Sequence, residues 1–500
     1  MKTTTKRILA LTGMLVFGLT AVHAQSDGAL LDALVKKGVL SDQEAEDIRA
    51  DEAKDYATTP AGKLAISDYV TQIKLYGDAR LRWEYLDEKP QVPSATGDSI
   101  DERSRYRLRI GADYTFTDKF SGGFELETNT ANDSANQTLG NQYGKFAINV
   151  GLAYLQWKPA DWLTLVGGKQ RNPLYTTDLV WDPDINPEGA SETMSWTLPV
   201  DFGSSAPLST DPKAMAPAPE PSTMSLTIGL TMFQGIYADS NEFATGTTSA
   251  TTGLDNDDIW QFVEQVPIQF NFDANTFIKV VPGFDTYMGG GNANQSVAAS
   301  GGTNNFTSPV ASDDLAIITA PGEIDWKLWD QPFKAYWDFA DNLDAKNRIQ
   351  HVYFGDGIVS GTPNATRRGN TGLGDNLAWL AGLQVGQNKK KGDWSIKGDF
   401  RQVGLGSIDP NLNDSDWGDS FLNQEGVKIQ STYNFTDFLT GSLTYYDSWA
   451  YKTHLLNGSP NESPAGLPVL ASTGGSALAT AGLAGASSVQ RLQVDLMWKF

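Results

Sequence analysis

Residues 73–85 read IKLYGDARLRWEY and alternate between two kinds of side chain. The odd positions are apolar or small, and the even positions are charged apart from Tyr76. Successive side chains of a β-strand point to opposite faces, so the stretch predicts a strand with one apolar and one polar face. It is longer than the ~5 to 6 residues of a typical globular strand and long enough to cross a membrane at a tilt. This stretch therefore predicts a membrane strand.

The same alternation recurs along the rest of the chain. An even count of about sixteen strands is typical of a bacterial barrel with both chain ends in the periplasm. Fourteen or eighteen strands stay open, because the Pro-rich connection 200–222 is long for a periplasmic turn and alternation is blurred in three segments, 188–199, 275–286 and 313–326. The predicted strands lie near 72–86, 104–117, 119–130, 145–158, 161–170, 188–199, 223–238, 258–271, 275–286, 313–326, 331–341, 376–387, 393–403, 424–435, 438–448 and 488–500.

The joints between these strands alternate in length. Turns such as 117–119 and 434–437 are short, whereas 289–312 and 449–488 are long and rich in Gly, Ser, Asn and Thr. Short periplasmic turns with long outer loops are typical of outer-membrane barrels. Because backbone groups at an open sheet edge would go unsatisfied in lipid, the sheet must close. The predicted fold class is all-β, an antiparallel transmembrane β-barrel over residues 72–500, wide enough at sixteen strands for an aqueous channel.

The N-terminal residues predict export. Lys2, Lys6 and Arg7 precede an apolar run over 8–20 and a Val22-His23-Ala24 cleavage pattern, so residues 1–24 predict a signal peptide. The run is short for a transmembrane helix, and a retained anchor is the alternative. We expect cleavage near Ala24 and location in the cell outer membrane.

Residues 25–57 predict a periplasmic helical hairpin or coiled-coil segment. Leu30, Leu31, Leu34 and Val35 recur at helical spacing, and the stretch 41–44, SDQE, is typical of a capping box. Residues 58–71 predict a linker into the barrel. The helical segment could contact other protomers or the cell wall, or could be a solvated linker.

Composition argues against several kinds of site and several classes of protein. The 500 residues contain no cysteine, which excludes disulfides and thiolate metal sites, and the net charge of -22 argues against a nucleic-acid partner. After signal cleavage only His351 and His454 remain as histidines, and no neighbouring pattern predicts a catalytic group, so we expect no enzyme and no cofactor. The Trp and Tyr residues near strand ends predict interfacial girdles, with an inward sugar-stacking path as the alternative.

Five stretches carry a family resemblance. They are LLDALVKKGVLSDQEAEDIRA at 30–50, KLYGDARLRWEY at 74–85, RSRYRLRIGADYTF at 103–116, GGKQRNPLYTTDLVWDPDINPEG at 167–189 and LQVDLMWKF at 492–500. The chain resembles the putative-porin family of outer-membrane proteins, relatives of the sixteen-stranded general and phosphate-type porins. The resemblance implies a pore for small hydrophilic solutes, surrounded by outer-membrane lipid, and a homotrimer. It fixes no solute.

The polar strand faces predict a basic wall inside the barrel, since closure places the last strand beside the first. The residues of this wall are Arg80, Arg82, Arg105, Arg107, Arg109 and Arg491. The loop 170–187 is rich in proline and acid, and by analogy with general porins we expect it to fold into the pore and set acid against base. The acidic residues of this constriction are Asp178, Asp182, Asp184 and Glu188.

Other interpretations of these residues stay open. The arginines could instead form structural ladders with Glu84, Asp113, Glu125 and Glu127 in a wide lumen. The spacing of Asp182, Asp184, Asn186 and Glu188 is similar to alternate Ca²⁺ ligands, but prolines interrupt it and Thr193 stands where a bidentate Glu is expected, so no metal site is predicted.

The last residue and the long loops raise two further expectations. Phe500, an aromatic residue ending an alternating strand, resembles the signal that the barrel-assembly machinery reads. The long outer loops also leave open a structural or adhesin barrel, and a channel selective for sugars or anions.

Overall fold

Sixteen antiparallel strands form one closed barrel in the computed structural model of the protein. The structure describes residues 34–37, 40–41, 43–48, 69–90, 99–129, 134–140, 142–200, 224–238, 259–288, 315–346, 358–359, 362–363, 375–452 and 486–500. The chain divides into two units, Met1–Asp68 and Tyr69–Phe500.

The strands of the barrel fall close to the predicted positions, and the predicted count of sixteen is confirmed. Their bounds are β1 Gln72–Pro90, β2 Ser99–Thr115, β3 Phe120–Thr128, β4 Ile148–Ala160, β5 Leu163–Lys169, β6 Glu188–Pro199, β7 Ser225–Ala238, β8 Ile259–Gln265 with Ile268–Asn271, β9 Phe277–Val280 with Gly283–Met288, β10 Ala316–Thr319 with Gly322–Leu328, β11 Gln331–Asn342, β12 Leu377–Gly386, β13 Trp394–Val403, β14 Gln424–Asn434, β15 Leu439–Ala450 and β16 Ala486–Lys499. Two short pieces add to these: Gln137–Thr138 pairs with β2, and Ile358–Val359 pairs with Thr362–Pro363.

Pairing of the first and last strands closes the sheet. Trp83 lies opposite Val494 and Ala79 lies opposite Trp498 in an antiparallel register. Phe500 extends this ladder, since its N–H donates to the Gly77 carbonyl at 3.1 Å and its carbonyl accepts from the Gly77 N–H at 3.0 Å. The barrel therefore has no open edge along the join.

Three prolines interrupt neighbouring strands in one diagonal row. Pro267 in β8, Pro282 in β9 and Pro321 in β10 cannot donate to the ladder. The Pro282 carbonyl accepts from Val266 at 2.9 Å, and the Pro321 carbonyl accepts from Val281 at 2.9 Å. The row splits each strand into two pieces, which explains why alternation is blurred in the sequence of β9 and β10.

Apolar side chains lie on the outer face of the barrel and polar side chains on the inner face, as the alternation predicts. On the outer face Leu155 and Leu383 are 65% and 61% exposed, as lipid-facing side chains are, whereas Arg82 and Glu84 on the inner face are buried. Aromatic rings also lie on the outer face near the short turns. Phe120 stacks on Trp157 with ring centroids 5.7 Å apart, which fits an interfacial girdle at these positions.

The N-terminal unit contains helical residues 34–36 and 43–48. The predicted capping box forms, since the Glu44 N–H donates to Ser41 Oγ at 3.3 Å and the Ser41 N–H donates to Glu44 Oε2 at 2.9 Å. Among the described residues, no helix is both long and apolar enough to span a bilayer. The predicted signal peptide, most of the linker, and the two remaining histidines lie outside the described residues.

Candidate functional site

The loop 170–187, here called the first inward loop, lies inside the barrel. Tyr175 and Gln265 of β8 exchange two hydrogen bonds, at 2.9 and 3.0 Å. Farther along the loop, the Thr177 hydroxyl donates to Asp338 of β11 at 2.7 Å. The loop therefore leaves the wall between β5 and β6 and reaches the inner wall of β8 and β11.

Two glycines at the base of the first inward loop permit its departure from the wall. Gly168 and Gly189 lie opposite each other at the loop ends of β5 and β6, with φ of 117° and 150°. A Cβ on Gly168 would lie 2.3 Å from the Ala153 carbonyl oxygen, and one on Gly189 would lie 2.1 Å from that of Gln234. Only glycine fits both positions without strain.

A second loop, residues 404–423, also folds into the barrel and is called here the second inward loop. It contacts the first one through the backbone: the Asp182 N–H donates to the Leu412 carbonyl at 2.5 Å, and the Asp414 N–H donates to the Asp178 carbonyl at 3.1 Å. The sequence did not predict this loop as part of the site. Its Gly, Asn and Asp content resembles that of an exposed outer loop.

Apolar packing holds the second inward loop in place. Its side chains Ile408 and Trp417 are 1% exposed and pack with Leu179 of the first inward loop. The inner wall meets them with Ala340 of β11 and Leu380 of β12. Each fully buried side chain of this kind contributes about 1.5–3 kcal/mol. One side of the lumen is therefore a hydrophobic core.

A cavity of about 320 Å³ lies along the wall formed by β13–β16 and β1. Side chains from β1 and β13–β16 and from both inward loops line it, and many of them are charged. The lining includes Arg80, Arg82, Lys397, Lys428, Asp184 and Asp416.

The first inward loop meets the predicted basic wall through one acid. Asp184 lies 3.1 Å from Arg107 and 3.7 Å from Arg109. Both arginines also pair with Asp78 of β1, at 2.9 and 2.8 Å. Acid and base thus meet across the lumen at this point.

The second inward loop supplies acids to the other end of the wall. Asp416 lies 2.9 Å from both Arg82 and Arg491. Arg491 also pairs with Asp419, and Arg82 pairs with Asp495 of β16 at 2.7 Å. Although burial alone would raise its pKa, Arg82 and Arg491 hold the pKa of Asp416 well below its ordinary range.

Arg80 and Arg105 meet a third segment, residues 134–138, which folds back onto β2. The Arg80 guanidinium donates to Asn136 Oδ1 at 2.6 Å, and Arg105 donates to the Asn136 carbonyl at 3.2 Å. Arg105 is 4.0 Å from Glu84, at the limit of an ion pair. These two arginines are therefore bound mainly by neutral groups.

The other three predicted acids do not meet the predicted arginines. Asp178 pairs with Lys428 and lies 3.0 Å from Arg401, two cations that the sequence analysis did not select. Asp182 accepts from backbone and hydroxyl groups of the two loops. Glu188 begins β6 and pairs with Lys169 across the ladder at 2.8 Å, outside the constriction.

The four acids proposed as ladder partners differ in the contacts that they make. Glu84 accepts from Arg103, which is not one of the predicted wall arginines, at 2.5 Å, and lies 3.9 Å from Arg82. Asp113 instead pairs with Arg171, at the start of the first inward loop, at 3.0 Å. Within the described part of the chain, Glu125 and Glu127 form no ion pair with the wall arginines. No group of three or more metal-ligating side chains occurs among the described residues.

Part of the chain matches the model of a known protein family. Residues 83–308 match the model of the family described as "Putative porin". This match confirms the resemblance to the putative-porin family. No match was found among curated proteins.

Three solved structures are similar to the chain. They are the OmpF complex with daunomycin from Salmonella typhi (10% identity, 87% of this chain, 99% of that chain, TM-score 0.40), the outer membrane channel DcaP of Acinetobacter baumannii (12%, 87%, 99%, 0.39) and a Rhodopseudomonas blastica porin triple mutant (10%, 86%, 100%, 0.38).

The putative-porin match and the closed sixteen-stranded barrel together indicate a bacterial outer-membrane channel. In such a channel the chemistry lies on the inner wall and on the loops inside the barrel. Sequence reasoning selected most of the wall, and missed the second inward loop, Arg401, Lys397 and Lys428. A signal for the loop existed: Trp417, Leu412 and Ile408 are large apolar residues in a connection that is otherwise rich in Gly, Asn and Asp.

Proposed function

We propose that the protein is a porin, a passive diffusion channel for small hydrophilic or ionic solutes. One observation carries the proposal: two inward loops leave a cavity of about 320 Å³ lined by charged side chains along the wall of β13–β16 and β1. Charges of both signs on opposite sides of a narrow passage orient polar solutes and disfavour apolar ones.

Planar bilayers test this proposal directly. Purified protein whose mobility on a gel changes on heating, as a folded barrel's does, should form ion-conducting pores. Folded protein without any conductance would support a plugged structural or adhesin barrel instead, since the two inward loops would then close the lumen.

The predicted selectivity of the basic wall is tested in the same apparatus. We expect the reversal potential in a KCl gradient to shift toward cation preference when Arg105, Arg107 and Arg109 are all changed to Ser. The reason is that Asp78 and Asp184 lose the cations that now lie within 4 Å of them. An unchanged potential would return these arginines to a structural role.

A homotrimer is part of the proposal, and two acidic side chains support it. Glu192 of β6 and Glu264 of β8 are exposed on the outer face, in register with Met232 of β7 between them. A carboxylate is costly to expose to lipid. Contact with another protomer would remove these side chains from lipid. Recognition of Phe500 by the barrel-assembly machinery likewise remains a proposal.

A further inference from the structure

The pattern of ion pairs around the cavity singles out two cations. Six lumen cations have a carboxylate 2.7–3.0 Å away, and these are Arg82, Arg107, Arg109, Arg401, Lys428 and Arg491. Arg80 and Lys397 also line the cavity, yet neither lies within 4 Å of a carboxylate of the described chain. In a cavity that six aspartates also line, these two cations are therefore the part of the basic lining that forms no ion pair.

Each of the two cations has donors to offer. Arg80 donates to Asn136, but its Nε is buried and has no hydrogen-bond partner in the described structure. Lys397 makes no hydrogen bond to any described residue, so its three N–H groups remain available. A buried donor without a partner costs free energy, and an anion in the cavity would remove that cost.

Two hydroxyls lie between these cations. Thr432 of β14 and Ser442 of β15 are directly opposed across the ladder and line the same cavity. Neither side chain hydrogen-bonds to another described residue. β13, which carries Lys397, and β1, which carries Arg80, stand on either side of them. A hydroxyl can donate and accept, so this pair suits the hydroxyl groups of a solute.

We propose that the cavity is a binding station for a small hydroxylated carboxylate, whose charge is attracted by Arg80 and Lys397 and whose hydroxyls are bound by Thr432 and Ser442. The inference rests on the proposed channel function and names its solute class. The larger set of arginines then serves to hold the inward loops, because their charges are already neutralised. Binding must be weak enough to let the solute leave.

Three six-carbon probes separate the contribution of the carboxylate from that of the hydroxyls. Gluconate carries both a carboxylate and hydroxyls, hexanoate only the carboxylate, and sorbitol only hydroxyls. We expect gluconate to reduce the single-channel KCl current at lower concentration than either of the others. Inorganic phosphate as a fourth probe distinguishes a station for any oxyanion, which would overturn the hydroxylated class, from the one proposed.

The variants Arg80→Gln and Lys397→Gln should each raise the half-blocking concentration of gluconate roughly tenfold, as loss of a charge-assisted hydrogen bond does. Lys334→Gln is the matched control, since Lys334 of β11 pairs with Glu323 and does not line the cavity. The double variant Thr432→Val, Ser442→Ala should bring gluconate to the level of hexanoate. It tests the station without removing a charge, even where the Arg80 variant fails to fold.

The outcomes separate the two proposals. A conducting channel that gluconate does not block, or blocks equally in all variants, overturns the binding station and leaves the channel standing. Folded protein that conducts nothing overturns the channel itself.

Discussion

Asp182 accepts hydrogen bonds from the backbone N–H of Ser415 at 3.2 Å and from its hydroxyl at 3.4 Å, across a sequence separation of 233 residues. Its other carboxylate oxygen accepts from the Asp184 N–H at 2.8 Å. One side chain therefore joins the first inward loop to the second. This contact is one of those that set the relative position of the two loops, and with it the size of the cavity.

We predict that alkaline pH widens the channel. Burial, with the nearby Asp414 and Asp184 carboxylates, raises the pKa of Asp182 to about 9. An ordinary Asp has a pKa of ~3.9, so between these values the joined loops bind more protons than separated loops. The contact is fully stable below the ordinary pKa and weakens as pH rises toward 9.

Single-channel conductance measured from about pH 7 to about pH 10 tests this, because ionisation of Asp182 follows its pKa. Conductance should rise in the wild type and stay level in Asp182→Asn, whose amide cannot ionise. A rise of equal size in both proteins would contradict the role given to Asp182.

Removal of an acid from the second inward loop should favour anions. Asp416→Asn leaves Arg82 and Arg491 with one negative charge fewer beside them. We expect the reversal potential in a KCl gradient to shift toward anion preference, opposite to the shift expected for the arginine variants. Asp330→Asn, in an exposed turn beside Lys327, is the control and should leave the potential unchanged.

Which features the sequence predicts depends on how far apart in the chain the interacting residues lie. Strand positions follow from a period of two, which most segments carry by themselves, and so the bounds of β12 and β13 match closely. The partners of Asp178 and Glu188 depend on which loops share the lumen. Asp178 meets Lys428, 250 positions away, and no local pattern marks that pair. The second inward loop has no period because its apolar residues pack on the wall from an irregular backbone.

The apolar packing of the second inward loop gives a further prediction. Trp417→Ala should leave a cavity and cost the loop about 3–5 kcal/mol. We expect higher and noisier conductance in a barrel that stays folded. Trp417→Phe is the matched control: the indole Nε1 has no hydrogen-bond partner in the described structure, and Phe keeps an aromatic face toward Arg401. Equal conductance in both variants would show that the loop does not limit the passage.

The base of the first inward loop offers a pair of adjacent glycines for comparison. Gly168→Ala places a Cβ at a positive φ, against the Ala153 carbonyl, and should cost about 1–3 kcal/mol in strain. Gly167→Ala meets no atom within 4 Å and should be tolerated. Thermal unfolding in detergent measures the difference, which would vanish if the loop base could shift freely.

The proposed protomer contact can be tested on the outer face of β7. Met232→Trp adds bulk between Glu192 and Glu264, and should reduce the oligomer fraction in detergent measured by light scattering after size exclusion. Leu383→Trp, on the exposed outer face of β12, is the control. If the two variants assemble alike, the contact lies elsewhere on the barrel.

The hydrophobic core inside the barrel has a consequence for which substitutions such a protein can accept. One side of the interior serves the fold as the centre of a soluble domain does, and the other side faces the solute. Thr432 of β14 and Ser442 of β15 belong to the second side, and neither side chain packs in the core or bonds to a described residue of the inward loops. At these two positions the surface that meets the solute is free to vary while the packing that keeps the loops folded stays fixed.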